Sequence, residues 1–396
     1  MDLKDYDPEI SQEAFNVFNN TTKQEYCDQN VLLLDRHLIH TLSDHVETIQ
    51  RYLDHVDLDL IVFSHPGEGI EINYSNIINS CVEYFVQRNV PQEKFAYLNC
   101  IDWCPENIDL YDQFKRKHNL PYLPDVLCYS TNLANLYGWN QEIIENDQLA
   151  MDHADKTHNF LCLNHQIRIP RYLFLAEVYN HNLQDQFLAS LNITLEDIDE
   201  NIHHQIIDWS AETNSTYFAE TGFDQISLDL IKQQVPLKLG YHHSRLFTLT
   251  ESDHNLFNSV RVNIVPEAFF CSSHFDLLHE SHRGIPPFQV MSEKILKAIM
   301  TGLPFIVLST PGLLKSIRHL GYRTFDGVID ESYDTIADDY DRMQAVISEV
   351  KRLSKFDDQD WLLFNNQVRD NVLYNKRLMR SKGRQISMNW LSDASY

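Results

Sequence analysis

Short apolar runs that alternate with amphipathic segments constrain the fold of this chain most strongly. The runs DLIVFSHPGEG (59–69) and EKFAYLNC (93–100) are each bounded by polar or turn residues, as are parallel strands buried on both faces. Between them, residues 73–89 have the apolar spacing of one helical face, at Ile77, Ile78, Cys81, Phe85 and Val86. The order strand–helix–strand predicts an α/β fold with a parallel sheet.

A second series of the same kind begins near residue 151. Its predicted strands are NFLCLN (159–164), RLFTLT (245–250), SVRVNIVPE (259–267), PFIVL (304–308) and the start of RTFDGVID (323–330). Helical spacing predicts helices after the first and fourth of these strands, and again over 334–353 and 359–380. Asp334 has the position of an N-cap for the helix that follows it.

Two α/β series predict two Rossmann-like domains that face a central cleft. We place an N-terminal domain at residues 1–150, a C-terminal domain at 151–375 and a helical tail at 376–396. Open parallel sheets bind ligands at the carboxyl ends of their strands, so the ends of the predicted strands are the places to look for a site.

The net charge excludes several classes of partner. A formal charge of −25 over 396 residues disfavours stable binding to nucleic acid or to an anionic membrane. No stretch of about 18 apolar residues occurs, so no membrane span is expected. The segment MDLKDYDPEI lacks the features of a signal peptide, and seven cysteines at irregular spacings fit a reducing compartment. We therefore predict a cytoplasmic protein.

The segment SEKILKAIMTGLPFIVLS (292–309) places a charged pair at the start of a predicted helix. Ser292 is a suitable N-cap and Gly302 a suitable left-handed stop, so Glu293 and Lys294 lie in the first turn. An acid stabilises that end of a helix, whereas a cation opposes the helix dipole unless an anion lies between them. Lys294 therefore predicts a phosphate site. The alternative is that Lys294 pairs with Glu293 or with another nearby acid.

A second basic element follows the strand that ends at Asn164. In FLCLNHQIRIPRYLFLAEVY (160–179), Arg168 lies in a short loop and Arg171 in the first turn of a helix, directly after Pro170. Guanidinium groups bind phosphate oxygens in a bidentate manner, so these two strand-to-helix junctions predict one shared diphosphate site. The alternative is a pair of solvated surface arginines.

The order of these motifs resembles the nucleotide-sugar-binding half of GT-B glycosyltransferases, in the fucosyltransferase-like and exostosin-like groups. It is most similar to glycosyltransferase-like proteins of the phage and giant-virus type, through FLCLN, SEK, the segment GLPFI and the string IDESYD. The resemblance covers about residues 159–354, and no motif of residues 1–150 aligns with it. It implies a donor side in the C-terminal domain and an acceptor side in the N-terminal domain.

The resemblance implies roles for particular residues. Glu293 is expected to bind the ribose hydroxyls of a nucleotide-diphosphate sugar, and Lys294 and Arg171, with Arg168, the diphosphate. Asn164 and Ser292 lie in the same motifs. Glu267 ends the strand VNIVPE, where related proteins have an acid or polar residue near the donor. Its alternative role is that of an ordinary acid at the end of a strand.

The catalytic base of inverting relatives comes from the N-terminal domain, after an early strand. Here FSHPGEG (63–69) offers His65 and Glu68, either of which is placed to accept the proton of an acceptor hydroxyl. GT-B enzymes need neither a metal nor a cofactor. The Asp-x-Asp of DLDL (57–60) precedes its strand, which argues against the metal-dependent GT-A alternative.

The sequence therefore predicts a metal-independent, inverting glycosyltransferase with a nucleotide-sugar donor and an unknown acceptor. One alternative is a non-catalytic protein that binds a nucleotide or a sugar phosphate. The other is a metal-dependent hydrolase that uses the Cys and His residues of CSSHFDLLHESHRG (271–284), whose spacing fits no closed tetrahedral site.

Overall fold

The structure is a computed structural model. It describes residues 31–34, 50, 60–65, 72–99, 105–124, 126–128, 140–164, 169–191, 249–267, 270, 289 and 291–391. The chain divides into two compact units, of which the first comprises Met1–Ala134 with Lys382–Tyr396 and the second Asn135–Ser381.

The first unit contains a four-stranded parallel sheet. Its elements are β1 (Val31–Leu34), β2 (Leu60–His65), α1 (Ile72–Val86), β3 (Phe95–Asn99), α2 (Pro105–Lys117) and β4 (Val126–Cys128). The strands lie in the order β1-β2-β3-β4. Phe85 of α1 stacks on Phe95 of β3, which in turn stacks on Phe63 of β2. The predicted strands at 59–69 and 93–100 and the helix between them are confirmed.

The second unit contains another four-stranded parallel sheet, with helices before, between and after the strands. Its elements are α3 (Gln141–Glu145), β5 (His158–Asn164), α4 (Ile169–Asn180), β6 (Phe187–Leu191), α5 (Glu251–Asn258), β7 (Val260–Pro266), α6 (Glu293–Thr301), β8 (Phe305–Leu308), α7 (Leu313–His319), α8 (Asp339–Leu353) and α9 (Asp358–Leu391), the last of which belongs to this unit as far as Ser381. The mixed α/β class with parallel sheets is therefore as predicted.

The strand order in the second sheet is β6-β5-β7-β8. The chain adds β6 on one side of β5 and then returns to add β7 and β8 on the other side. Strands β5 and β7 are buried apolar segments, with Phe160, Val262 and Ile264 at most 1% exposed. Such a reversal of strand order opens a crevice at the carboxyl ends of the two central strands.

The boundary between the units lies between residues 134 and 135, earlier than the predicted boundary between 150 and 151. The reason is that residues 140–152 form hydrogen bonds with the rest of the second unit. The side chain of Asn140 accepts a hydrogen bond from the Leu249 N–H, and the Met151 N–H donates to the carbonyl of Gly302. Lys376 of α9 donates to the carbonyl of Gln148 at 2.6 Å. These backbone groups therefore find their partners in the second unit.

Two predicted strands differ from the structure in the residues that it describes. Thr250, the last residue of the predicted strand at 245–250, caps α5 in a reciprocal pair with Asp253, whereas residues 245–248 lie outside the described residues. The predicted strand that starts at Arg323 is absent: the N–H of Arg323 donates to the side-chain oxygen of Asn375 in α9, and its C=O accepts from the side-chain nitrogen of Asn375. That backbone therefore pairs with a helix instead of a sheet.

The acidic string IDESYD (329–334) is also placed differently from the prediction. Asp338, not Asp334, is the N-cap of α8, whereas Asp334 accepts hydrogen bonds from the N–H groups of Leu314 and Lys315 and so caps α7. Glu331 is buried and accepts hydrogen bonds from Arg318 and from the Phe325 N–H. The string therefore stabilises the fold around α7. Within the part of the chain that the structure describes, no helix has both the length and the apolar character to cross a membrane.

Candidate functional site

The candidate site lies where β5 and β7 end, next to the reversal of strand order. Cys162 pairs with Ile264, and continuing this parallel register sets Asn164 beside Pro266, one residue before Glu267. Asn164 and Glu267 are both buried. Two buried polar residues thus lie one register position apart at the carboxyl edge of the sheet.

Helix α6 begins at this edge and has the local structure that its sequence predicts. The Ser292 hydroxyl accepts a hydrogen bond from the Lys294 N–H at 3.2 Å, and Gly302 ends the helix in the left-handed conformation. The Ser292 N–H donates to Glu267 Oε1 at 3.4 Å. The end of β7 therefore holds the start of α6, with Glu293 and Lys294 in the first turn.

Lys294 is surrounded by acids. Its ammonium lies 3.3 Å from Glu293 Oε1 and 3.8 Å from Glu267 Oε2. The alternative pairing of Lys294 with neighbouring acids is therefore present in this structure, and Glu267 supplies the anion that offsets a cation at the helix start. The Lys294 side chain is 20% exposed, whereas those of Glu293 and Glu267 are 10% and 4% exposed. Of the three charged groups, the cation has most access to solvent.

Glu293 is ionised despite its burial. Burial raises the pKa of its carboxyl, but the charges of Lys294 and Lys297 and hydrogen bonds from the backbone and Lys294 outweigh this, so the pKa lies below its usual value. Lys297 lies one turn further along α6 and is buried, which lowers its pKa to about 8. Sequence reasoning missed Lys297, although its spacing of four residues from Glu293 was a usable signal.

Arg171 lies in the first turn of α4, which follows β5, and the residue is 3% exposed. The alternative of a solvated surface arginine is therefore wrong for Arg171. Burial raises the pKa of Cys162 to about 12, while a hydrogen bond from Asn164 and the charge of Arg171 act in the opposite direction. The guanidinium thus lies close enough to the end of β5 for its charge to act on that strand.

Asn164 forms hydrogen bonds through its backbone N–H and its side-chain nitrogen, but not through its side-chain oxygen. Its backbone N–H donates to Ser190 of β6 at 3.0 Å, and its amide nitrogen lies 3.4 Å from the Cys162 sulfur. Its side-chain oxygen is buried and has no hydrogen-bond partner among the described residues. A buried acceptor without a donor costs about 1–3 kcal/mol, so this oxygen favours a bound donor at the strand end.

The first turn of α7, the helix that follows β8, also contains a cation, Lys315. There the N–H groups of Leu314 and Lys315 donate to the carboxylate of Asp334. Helices α4 and α6 differ from α7 in that they follow β5 and β7, the central strands of the sheet.

The other predicted site residues are placed only in part. His65 is the last residue of β2, paired in register with Asn99, and so lies at the carboxyl end of its strand. Glu68, Arg168 and the Cys and His residues of 271–284 lie outside the described residues. Within the described residues, no group of three or more His, Cys, Asp or Glu side chains is placed to hold a metal ion.

No protein-family model and no curated protein matches this chain.

Proposed function

We propose that this chain is a metal-independent glycosyltransferase that moves a sugar from a nucleotide-diphosphate sugar to an acceptor of unknown class. The proposal rests on one observation, which is the start of α6 beside Glu267 at the reversal of strand order. In this proposal the two units are the Rossmann-like domains of a GT-B enzyme, with the donor bound by the second unit.

The order β6-β5-β7-β8 supports this assignment of the second unit. Numbered from the first strand of that sheet it is 2-1-3-4, the order in which a flavodoxin-like doubly wound sheet begins. Nucleotides bind to such sheets at the carboxyl edge, in the crevice beside the first strand. Asn164, Glu267 and the start of α6 all lie at that edge.

The charges of the site suit the two halves of a nucleotide. An ionised carboxylate that accepts hydrogen bonds, such as that of Glu293, suits the paired hydroxyls of a ribose. Lys294 and Arg171 are cations at two helix starts, where backbone N–H groups also favour an anion. Cleavage of the sugar–phosphate bond leaves negative charge on the diphosphate, and fixed cations stabilise that charge in the transition state.

The chemistry of transfer needs a base for the acceptor hydroxyl, and we assign it to the first unit. His65 ends β2, and Glu68 follows three residues later. In an inverting reaction, the base removes the acceptor proton while the acceptor oxygen forms a bond to the anomeric carbon and the diphosphate leaves with the electrons of the broken bond.

The experiment begins with a thermal-shift screen of ribonucleoside diphosphates and their sugars. A ligand at a hundredfold excess over its dissociation constant stabilises the folded protein by about 2.7 kcal/mol, which raises Tm by several degrees. Release of the diphosphate from the best donor is then measured with and without EDTA. We expect chelator-insensitive release, and a loss of about 10²–10⁴-fold in kcat for either His65→Asn or Glu68→Gln.

Glu293→Gln is expected to raise KM about tenfold, since it weakens the charged hydrogen bonds to ribose. Glu142→Gln is its control, because Glu142 also lies in the first turn of a helix but is exposed in α3. Failure of every diphosphate to raise Tm contradicts the proposal. Binding with no turnover supports the non-catalytic alternative, and loss of turnover in EDTA supports the metal-dependent one.

A further inference from the structure

Lys294 and a ribose would compete for the same carboxylate. In the structure the Lys294 ammonium donates toward Glu293 Oε1 at 3.3 Å and lies 3.4 Å from the Ser292 hydroxyl. An ammonium group and a sugar hydroxyl are both hydrogen-bond donors, whereas a phosphate offers only acceptors. A ribose therefore gains full access to Glu293 when the ammonium turns away, and a phosphate is the kind of group that draws it away.

The side chains of this cluster differ in their freedom to move. The ammonium of Lys294 lies on a flexible four-carbon stem and is 20% exposed, while Glu267 and Glu293 are covered. The Ser292 N–H fixes Glu267, and Lys297 remains beside Glu293 when Lys294 moves. Movement of one side chain is thus enough to open the carboxylate, and Lys297 remains as a second cation whose charge lowers the pKa of Glu293.

An independent observation points to a ligand at this edge. The side-chain oxygen of Asn164 is fully buried and has no partner among the described residues, and the register of β5 and β7 sets it beside the residue that precedes Glu267. A bound molecule that offers a donor at the end of β5 would satisfy this acceptor.

We propose that Lys294 makes ribose binding conditional on the diphosphate: the diphosphate draws the ammonium from Glu293, and the freed carboxylate then binds the ribose hydroxyls. This inference rests on the proposed function, and it adds that the site selects nucleoside diphosphates against free nucleosides. The two halves of the ligand bind with positive coupling, in the sense that each favours the same position of one lysine.

The test is to measure the dissociation constants of the four ribonucleosides and their diphosphates for the wild type and for Lys294→Met. We expect the substitution to change the two affinities in opposite directions. Methionine keeps the length of the side chain but removes both the charge and the donor. We expect the best diphosphate to bind about 30-fold more weakly, since a charged contact is lost, and its nucleoside to bind about fivefold more tightly, since the competitor is gone. Titrations at pH 7 keep Lys297, whose pKa is about 8, charged beside Glu293.

Lys355→Met is the matched control, because Lys355 is an exposed lysine of the same unit. It should change neither affinity. Lys294→Arg keeps the cation and should hold diphosphate binding within about fivefold of the wild type. Nucleoside binding that is unchanged or weaker in Lys294→Met, while the diphosphate still binds the wild type, overturns the coupling and leaves the proposed function standing. If no diphosphate binds the wild type, both proposals are overturned.

Discussion

Replacement of Arg342 by methionine is expected to lower the free energy of unfolding by about 3–5 kcal/mol, the largest single-residue effect that we predict. Arg342 is 1% exposed. Its Nε donates to the carbonyl of Ser309 at 2.9 Å and its Nη1 to that of Ile336 at 2.8 Å. Its Nη2 donates to the carbonyl of Phe270 and, at 2.6 Å, to Asp339 Oδ1.

These contacts join segments that are far apart in the chain. Phe270 follows β7, Ser309 follows β8, and Ile336 precedes α8. Truncation of Arg342 removes the hydrogen bonds to the buried Ser309 and Phe270 carbonyls and one hydrogen bond to Asp339, and each buried carbonyl left without a donor costs about 1–3 kcal/mol if water cannot reach it. Lysine has the charge but not the planar fork of donors, so Arg342→Lys should recover less than half of the loss.

Arg377→Met is the control for this substitution. Arg377 also pairs with an acid, Asp147, but the two side chains are 58% and 52% exposed. An exposed pair contributes about 0–1 kcal/mol, so this variant should unfold close to the wild type in denaturant. Equal losses for Arg342→Met and Arg377→Met would show that the buried contacts of Arg342 contribute little.

Replacement of Gly302 by alanine is expected to cost about 3 kcal/mol. Gly302 ends α6 with φ 78°, and an added Cβ would lie 2.7 Å from Leu149 Cδ2 and 2.9 Å from Leu149 Cα. The left-handed conformation alone costs an L-residue about 1–2 kcal/mol, and the remainder is the clash with the backbone of Leu149, which cannot rotate away.

Gly327→Ala separates these two contributions. Gly327 has φ 83°, and an added Cβ there has no heavy atom within 4 Å. This variant should lose only the conformational part, about 1 kcal/mol, as measured by denaturant unfolding. If the two alanine variants are equally stable, the packing of Leu149 against α6 is not tight.

The sequence predicts the elements whose signals are local. The Ser292 cap, the Gly302 stop and the apolar face of α1 each depend on residues within a few positions of one another, and the structure has all three. Strands β1 and β6 were not predicted. VLLL is only four residues long, and FLASL contains small residues, so neither pattern differs clearly from a helix or a loop.

The partners of charged residues depend on contacts between distant segments. Asp334 lies close in sequence to the start of α8, yet it caps α7, because the fold brings the N–H groups of Leu314 and Lys315 to it. Lys294 contacts Glu267, 27 residues earlier, because the fold places the end of β7 beside the start of α6. Local patterns identify these charged residues but not the groups that they contact.

The central claim is that cations at the starts of α4 and α6 bind one diphosphate. The most direct test is a crystal structure of the chain with the nucleoside diphosphate that gives the largest thermal shift. We expect oxygens of that diphosphate within about 3 Å of both the Arg171 guanidinium and the Lys294 ammonium, with the ribose hydroxyls on Glu293. A nucleotide bound elsewhere, or bound here with Arg171 and Lys294 still on protein groups alone, would contradict the claim.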